Sequence, residues 1–138
     1  MKRSKINQSI REMEAMLEKH KVELPPFCKW TPEEWKTKNH EYNEIRDNML
    51  GWDITDCGLE DFDKVGFALI TIRNGNQKNP KYKKVYAEKL IYLKDRQTFP
   101  SQFHLLKSEE FINRGGGTLL LKVYNDDGEG GYADTDVL

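Results

Sequence analysis

Phe99-Pro100-Ser101-Gln102-Phe103-His104-Leu105-Leu106-Lys107-Ser108-Glu109-Glu110-Phe111-Ile112-Asn113-Arg114-Gly115-Gly116-Gly117 brings two potential metal donors and a glycine-rich corner into one short stretch. In a strand, residues two apart point the same way, so Gln102 and His104 project together while Phe103 faces the opposite layer. A carboxylate at Glu109, delivered after the strand turns, is then placed to close on the same point as His104. Mixed nitrogen and oxygen donors suit a divalent ion such as Mn, Fe, Co or Zn. A plainer reading stands beside this one: His104, between Phe103 and Leu105, is also what a hydrogen-bonded histidine of a β-barrel looks like. Lys107 to Glu110 likewise read as a solvated turn, and Gly115 to Gly117 as a corner that needs unusual backbone angles.

Upstream, the apolar pattern predicts the elements that carry this stretch. Ile6, Ile10, Met13 and Leu17 recur at three- and four-residue intervals, an amphipathic helix ending near His20, with Ser4 or Asn7 available as N-cap. Pro25-Pro26 interrupts the chain, and Thr31-Pro32-Glu33-Glu34 has the pattern of a capping box, so a second helix starts at Thr31. Its apolar stripe is Trp35, Tyr42, Ile45 and Met49, and Gly51 is placed to end it. From Val65 the period changes to two: a strand runs through Phe67, Leu69 and Thr71 to a turn at Asn74-Gly75-Asn76. A second strand spans Val85 to Leu93, Asp95-Arg96 turns the chain into a third through Gln102 and His104, and Thr118 to Tyr124 makes a fourth. Short strands separated by turn signals predict a mainly β fold, an antiparallel barrel or sandwich preceded by two α-helices. In domain terms, residues 1–60 form a helical segment packed on a β domain of residues 61–138, within a single domain.

Composition limits the functions available. At 138 residues the chain suits one core that hides roughly two-thirds of the unfolded surface. Its 22 Lys plus Arg against 23 Asp plus Glu offer no general attraction to nucleic acid or an anionic membrane, and neither is an expected partner. The local run Lys78, Lys81, Lys83, Lys84 around Tyr82 reads first as a solvated face beside a turn. Cys28 and Cys57 form no Cys-x-x-Cys pair, which argues against disulfide staples and zinc ribbons. Polar residues interrupt the only stretch that could serve as a leader peptide, and the run from Phe67 to Ile72 is too short to span a bilayer, so the expected home is the cytoplasm. Asp126, Asp127 and Glu129 offer oxygen ligands without the spacing of a twelve-residue calcium loop, and read as an acidic turn.

The stretch from Gln102 resembles the first metal motif of cupins, His-x-His, then Glu, then a glycine, with Gln102 in the place of the first histidine. The longer string, Tyr86-Ala87-Glu88-Lys89, Phe103-His104, Lys107, Glu109 and Ile112-Asn113-Arg114-Gly115-Gly116-Gly117, is similar to the D-lyxose isomerase family of cupins, from about Trp30 to Val137. That resemblance implies a cupin-like jelly-roll barrel and a ketol-isomerase interconverting D-lyxose and D-xylulose, and D-mannose and D-fructose. It also implies a divalent metal, manganese, held by His104, Glu109 and the position of Gln102, with Lys89 and Lys107 as catalytic and substrate-contacting residues. An aldose or ketose sugar is the expected small-molecule partner. The chain departs from the family pattern in two ways. An amide oxygen at Gln102 is a poorer ligand for a transition metal than imidazole, and no second histidine motif follows before Leu138.

The barrel is therefore expected to be incomplete, leaving the strand Leu119 to Val123 with an unpaired edge. Such an edge is a template for pairing, and a homodimer or swapped oligomer is the expected assembly. Two alternatives stay open beside the isomerase: a catalytically inactive truncated cupin, and a structural subunit completing a barrel with a partner chain.

Overall fold

A computed structural model describes residues 1–137. The chain divides into two compact units, Met1–Leu105 and a smaller one from Leu106 onward. The first holds a helix backed onto a three-stranded antiparallel sheet. Its first helix, α1, is Arg3–Lys19, as the apolar spacing predicts. It starts after Lys2 with no side-chain cap, and Ser4 and Asn7 lie inside it. It stops where Lys21 adopts a left-handed conformation (φ 56°), its N–H donating to the Glu18 carbonyl at 2.9 Å.

The second predicted helix begins as expected and then fails to continue. The Glu34 N–H donates to Thr31 Oγ1 at 3.2 Å and the Thr31 N–H to Glu34 Oε2 at 2.7 Å, a complete capping box. The backbone bond from Thr31, reinforced by the Thr31 hydroxyl, lowers the pKa of Glu34. Yet α2 is only Pro32–Lys36, followed by a short 3-10 turn at His40–Tyr42 and by α3, Asn43–Asp47. The carbonyls that would carry α2 onward are bonded to side chains instead. Thr37 Oγ1 donates to the Glu34 carbonyl at 2.7 Å, and Arg46 Nη2 donates to the Lys38 carbonyl at 2.9 Å. The apolar stripe is also used locally: Trp30 packs edge-on against Trp35 (5.0 Å) and Tyr42 (5.2 Å), while Met49 points to solvent.

Gly51, expected to end that helix, instead opens strand β1, Gly51–Thr55. The central strand β2 is Phe67–Arg73 and β3 is Glu88–Tyr92, in the order β1-β2-β3. The register sets Trp52, Ile70 and Leu90 in one row, and Ile54, Ala68 and Tyr92 in the next. These rows share a face because strand side chains alternate. Against that face lies α1, whose Met13 joins Ala68 and Ile70 in the buried core, with Leu17 packed beside them. Burying side chains such as Met13 and Ile70 contributes about 1.5–3 kcal/mol each.

Ser9 lies one turn before Met13 on the same side of α1, fully buried. Its hydroxyl has no hydrogen-bond partner among the described residues. Cys28 packs at the margin of the core, and burial pushes its thiol up to about 11 despite nearby Lys29. Around the core edge, Lys94 pairs with Glu12 at 2.9 Å and Lys5 with Asp63 at 2.6 Å, tying α1 to the loops around the sheet.

The opposite face of the sheet carries Phe67, Leu69 and Thr71, all buried, together with Lys89, which is paired with Thr71. After β3 the chain returns beside the start of β2: the Gly66 N–H donates to the Thr98 carbonyl at 3.0 Å and the Thr98 N–H to the Lys64 carbonyl at 2.7 Å. This return stacks Phe99 on Phe67 at 4.5 Å and fixes where the stretch opening at Phe99 begins. Gly66 is required there, since at φ 139° any Cβ would run into the Thr55 carbonyl and the Phe62 ring.

Two expected strands are not formed. Neither the segment through Gln102 and His104 nor Thr118 to Tyr124 has ladder partners among the described residues, and both are exposed. Alternation supplies a strand-like pattern, but a strand exists only when a neighbour takes its backbone groups, and that neighbour is not set locally. The fold is thus β-rich with a few helices. The second unit contains a short hairpin, β4 (Asn125–Asp126) with β5 (Tyr132–Ala133), closed by Tyr124 stacked on Tyr132 at 4.5 Å. No helix among the described residues is long and apolar enough to cross a membrane.

Candidate functional site

Lys89 stands on β3, held in register opposite buried Thr71 and therefore on the sheet face away from α1. Its neighbour Glu88 is directed differently: a register irregularity between Thr71 and Arg73 brings Arg73 opposite Glu88, and the two form an ion pair. A bulge of this kind lets adjacent residues take separate roles. Glu88 is engaged structurally, which leaves Lys89 as the member of the Tyr-Ala-Glu-Lys string presented on the second face.

Gln102 and His104 fall in exposed, non-strand chain near the end of the first unit. Lys107 and Glu109 fall in the second, in exposed chain outside any strand. Lys107 Nζ donates to Glu109 Oε1 at 2.6 Å, so the predicted substrate lysine and the predicted metal carboxylate are joined in one pair. The glycine corner lies just beyond. Asn113 Nδ2 donates to the Gly117 carbonyl at 2.9 Å, and the Gly115 N–H donates back to Asn113 Oδ1 at 3.1 Å. Gly115 and Gly116 take φ of 132° and 92°, values that side-chain-bearing residues seldom adopt. Asn113 therefore acts as the clasp of the turn, a part the sequence string contained without showing.

Imidazole, carboxylate and amide oxygen are each donor types that manganese and similar divalent ions accept, but among the described residues no group of three or more His, Cys, Asp or Glu is placed to hold an ion. The acidic turn near the C-terminus is organised around its own backbone. Asp127 Oδ1 accepts N–H groups from Gly131 (2.8 Å) and Glu129 (2.7 Å), and these bonds, that of Gly131 foremost, lower its pKa. That agrees with the reading of this segment as an acidic turn.

The basic run after β2 is also ordered. Tyr82 donates its phenol O–H to Asp47 Oδ2 at 2.5 Å, and Lys84 pairs with Glu44. The bond to Asp47 leads the causes that push the Tyr82 pKa up to about 12. Asp47 and Glu44 lie thirty-five and forty residues away in sequence, beyond the reach of any local pattern.

The fold is thus β-rich, the first unit presenting an exposed lysine on β3 and the second a lysine–carboxylate pair followed in sequence by a glycine corner. The D-lyxose isomerase family matches residues 1–138, so the chain belongs to that family. Among curated relatives, a D-lyxose/D-mannose isomerase of Escherichia coli O157:H7 is 40% identical over 99% of this chain and 61% of its own length. Another D-lyxose/D-mannose isomerase, of Serratia proteamaculans, is 38% identical over 99% of this chain and 60% of its own. The chain therefore spans about three-fifths of the length of these relatives.

Proposed function

We propose that this chain supplies the metal-holding and sugar-contacting residues of a ketol-isomerase that interconverts D-lyxose with D-xylulose and D-mannose with D-fructose. The observation that carries this reading is the Lys107–Glu109 pair, followed in sequence by the glycine corner, in a chain that matches the family throughout. The fold of the family resemblance, a cupin-like jelly roll, belongs to the same proposal.

His104 and Glu109, with Gln102 as a weaker oxygen donor, are the residues that would hold a divalent ion, manganese by the family resemblance. A bound ion of this kind lowers the energy of negative charge developing on sugar oxygens. The chain's own residues do the rest. Lys107 has three N–H donors, one directed to Glu109, and the others are suited to sugar hydroxyls. Lys89 is the second cation that contacts the open-chain sugar. Moving a proton between C1 and C2 also needs a base, and neither Glu88, committed to Arg73, nor the two lysines is assigned that part.

The proposal includes self-association as a homodimer or swapped oligomer. Leu120 (79%) and Val123 (64%) are exposed on a segment with no ladder partner among the described residues.

The test is direct. The purified chain, loaded with manganese, is expected to form D-xylulose from D-lyxose. Glu109→Gln and Lys107→Ala are expected to lower the rate by about a hundredfold or more, the usual size of losing a positioned polar or acid–base group. No product above a metal-free control overturns the proposal.

A further inference from the structure

The fourteen residues from Asn74 to Ala87 join β2 to β3, antiparallel neighbours that a two-residue turn could have connected. A connection this long is uncommon in a compact domain unless it is mobile or has a use. This one is pinned. Asn48 Nδ2 donates to the Asn74 carbonyl at 3.2 Å, and Asn74 Nδ2 returns a bond to the Asn48 carbonyl at 3.0 Å. Asn76 Nδ2 donates to Asn48 Oδ1 at 3.0 Å, so the loop is anchored on a fully buried amide. Farther along, Tyr82 is bonded to Asp47 and Lys84 to Glu44. Gly75 closes the base, because a Cβ there would collide with the Lys84 carbonyl.

These anchors use both acids that α3 presents to the loop, and they leave a cationic surplus. Lys78, Lys81 and Lys83 form no ion pair with an acid among the described residues, although the Lys81 ammonium lies 5.4 Å from the Tyr82 ring centroid. A shallow, open groove of about 440 Å³ lies on this surface, lined by Glu44, Lys81, Tyr82, Lys83, Lys84, Val85 and Tyr86. Two unpaired ammonium groups, one partly neutralised ammonium and two phenol rings make a surface for a small dianion attached to an organic body. The single carboxylate in the wall, Glu44, is already turned to Lys84.

We propose that this groove binds a phosphate monoester of monosaccharide size, Lys81 and Lys83 holding the phosphoryl oxygens while Tyr82 and Tyr86 flank the organic part. The proposal stands apart from the isomerase reading, since Lys89, His104, Lys107 and Glu109 do not line the groove. Phosphate recognition by lysine is that of a point charge, strengthened where backbone and phenol groups are already fixed.

The experiment is an amide NMR titration of the full chain with phenyl phosphate, inorganic phosphate and, as a neutral control, phenol. Phenyl phosphate is expected to give saturable shifts centred on residues 79–86, with weaker shifts from inorganic phosphate and none from phenol. The double variant Lys81→Ala/Lys83→Ala should weaken binding about a hundredfold, roughly tenfold for each of the two charge-assisted hydrogen bonds lost. Lys36→Ala, distant in sequence on α2, should leave it unchanged, and binding should weaken below about pH 6 as the phosphoryl group takes up its second proton. If the double variant does not fold, Lys83→Gln alone is read in its place. Shifts spread evenly over the lysines of the chain, an equal loss with Lys36→Ala, or saturation by a single-stranded oligonucleotide but not by phenyl phosphate overturns the proposal.

Discussion

Ser9 occupies a position on α1 where an apolar side chain is the simpler solution, and its buried hydroxyl has no partner among the described residues. Leaving a buried polar atom unsatisfied costs about 1–3 kcal/mol, and serine is also a weaker helix former than alanine. Ser9→Ala is therefore expected to raise stability by about 1 kcal/mol, read as a higher urea midpoint at unchanged slope. A lower midpoint would mean that the hydroxyl makes a bond the account does not contain. At this scale the sequence was informative about kind rather than partner. Glu109 could be singled out as a carboxylate near His104 and Lys107 through the family resemblance, but the bond that joins the two to each other was part of neither reading. Asn113 could not be singled out, since its role as a clasp depends on the positive φ values of the glycines after it.

Among the elements, α1 holds its place through packing and through a chain of ion pairs at its edge. Glu12 shows the balance: burial raises its pKa, but hydrogen bonds from Lys94 and Gln8 and the charge of Lys94 outweigh that and leave it lowered. Asp63 is lowered as well, chiefly by its bond from Lys5. A carboxylate whose folded pKa is depressed adds stability above its unfolded pKa and loses it as pH falls through the folded value. The ordinary values are 4.5 for Glu12 and 3.8 for Asp63, so this contribution is present at neutral pH and fades as pH drops below about 4.5. Lys94 keeps a raised pKa, burial being outweighed by Glu12 and Asp63, and stays charged throughout that window. Urea midpoints measured from pH 7 to pH 3 should fall over this range, and Lys94→Met should flatten the fall. An identical pH profile in the variant would contradict the assignment.

The same elements show why periodicity was a partial guide. Where the pattern met a surface it could bury against, as in α1 and β2, the predicted element formed. The Thr31 capping box marked a helix start because its bonds are local, yet the helix length depended on Arg46, ten residues beyond α2. Strand β1 escaped notice because Gly51 looked like a stop signal, and a five-residue strand offers few alternations to read. Thr118 to Tyr124 had a strand-like pattern without a ladder partner among the described residues.

Across the whole molecule, family membership narrows the chemistry more than the fold does, since β-rich frameworks carry many reactions. The metal-binding claim reduces to His104 and Glu109 serving one ion, with Lys89 and Lys107 disposed for the sugar. Manganese itself is the most direct probe, because its unpaired electrons broaden nuclear signals more strongly the nearer the nucleus lies. Titrating the full chain with substoichiometric Mn²⁺ should broaden the His104 imidazole resonances and the amides around Glu109 together, and Glu109→Gln should abolish both effects at the same metal concentration. Broadening confined to one of the two residues, or scattered over the surface carboxylates and unchanged by Glu109→Gln, would contradict the account.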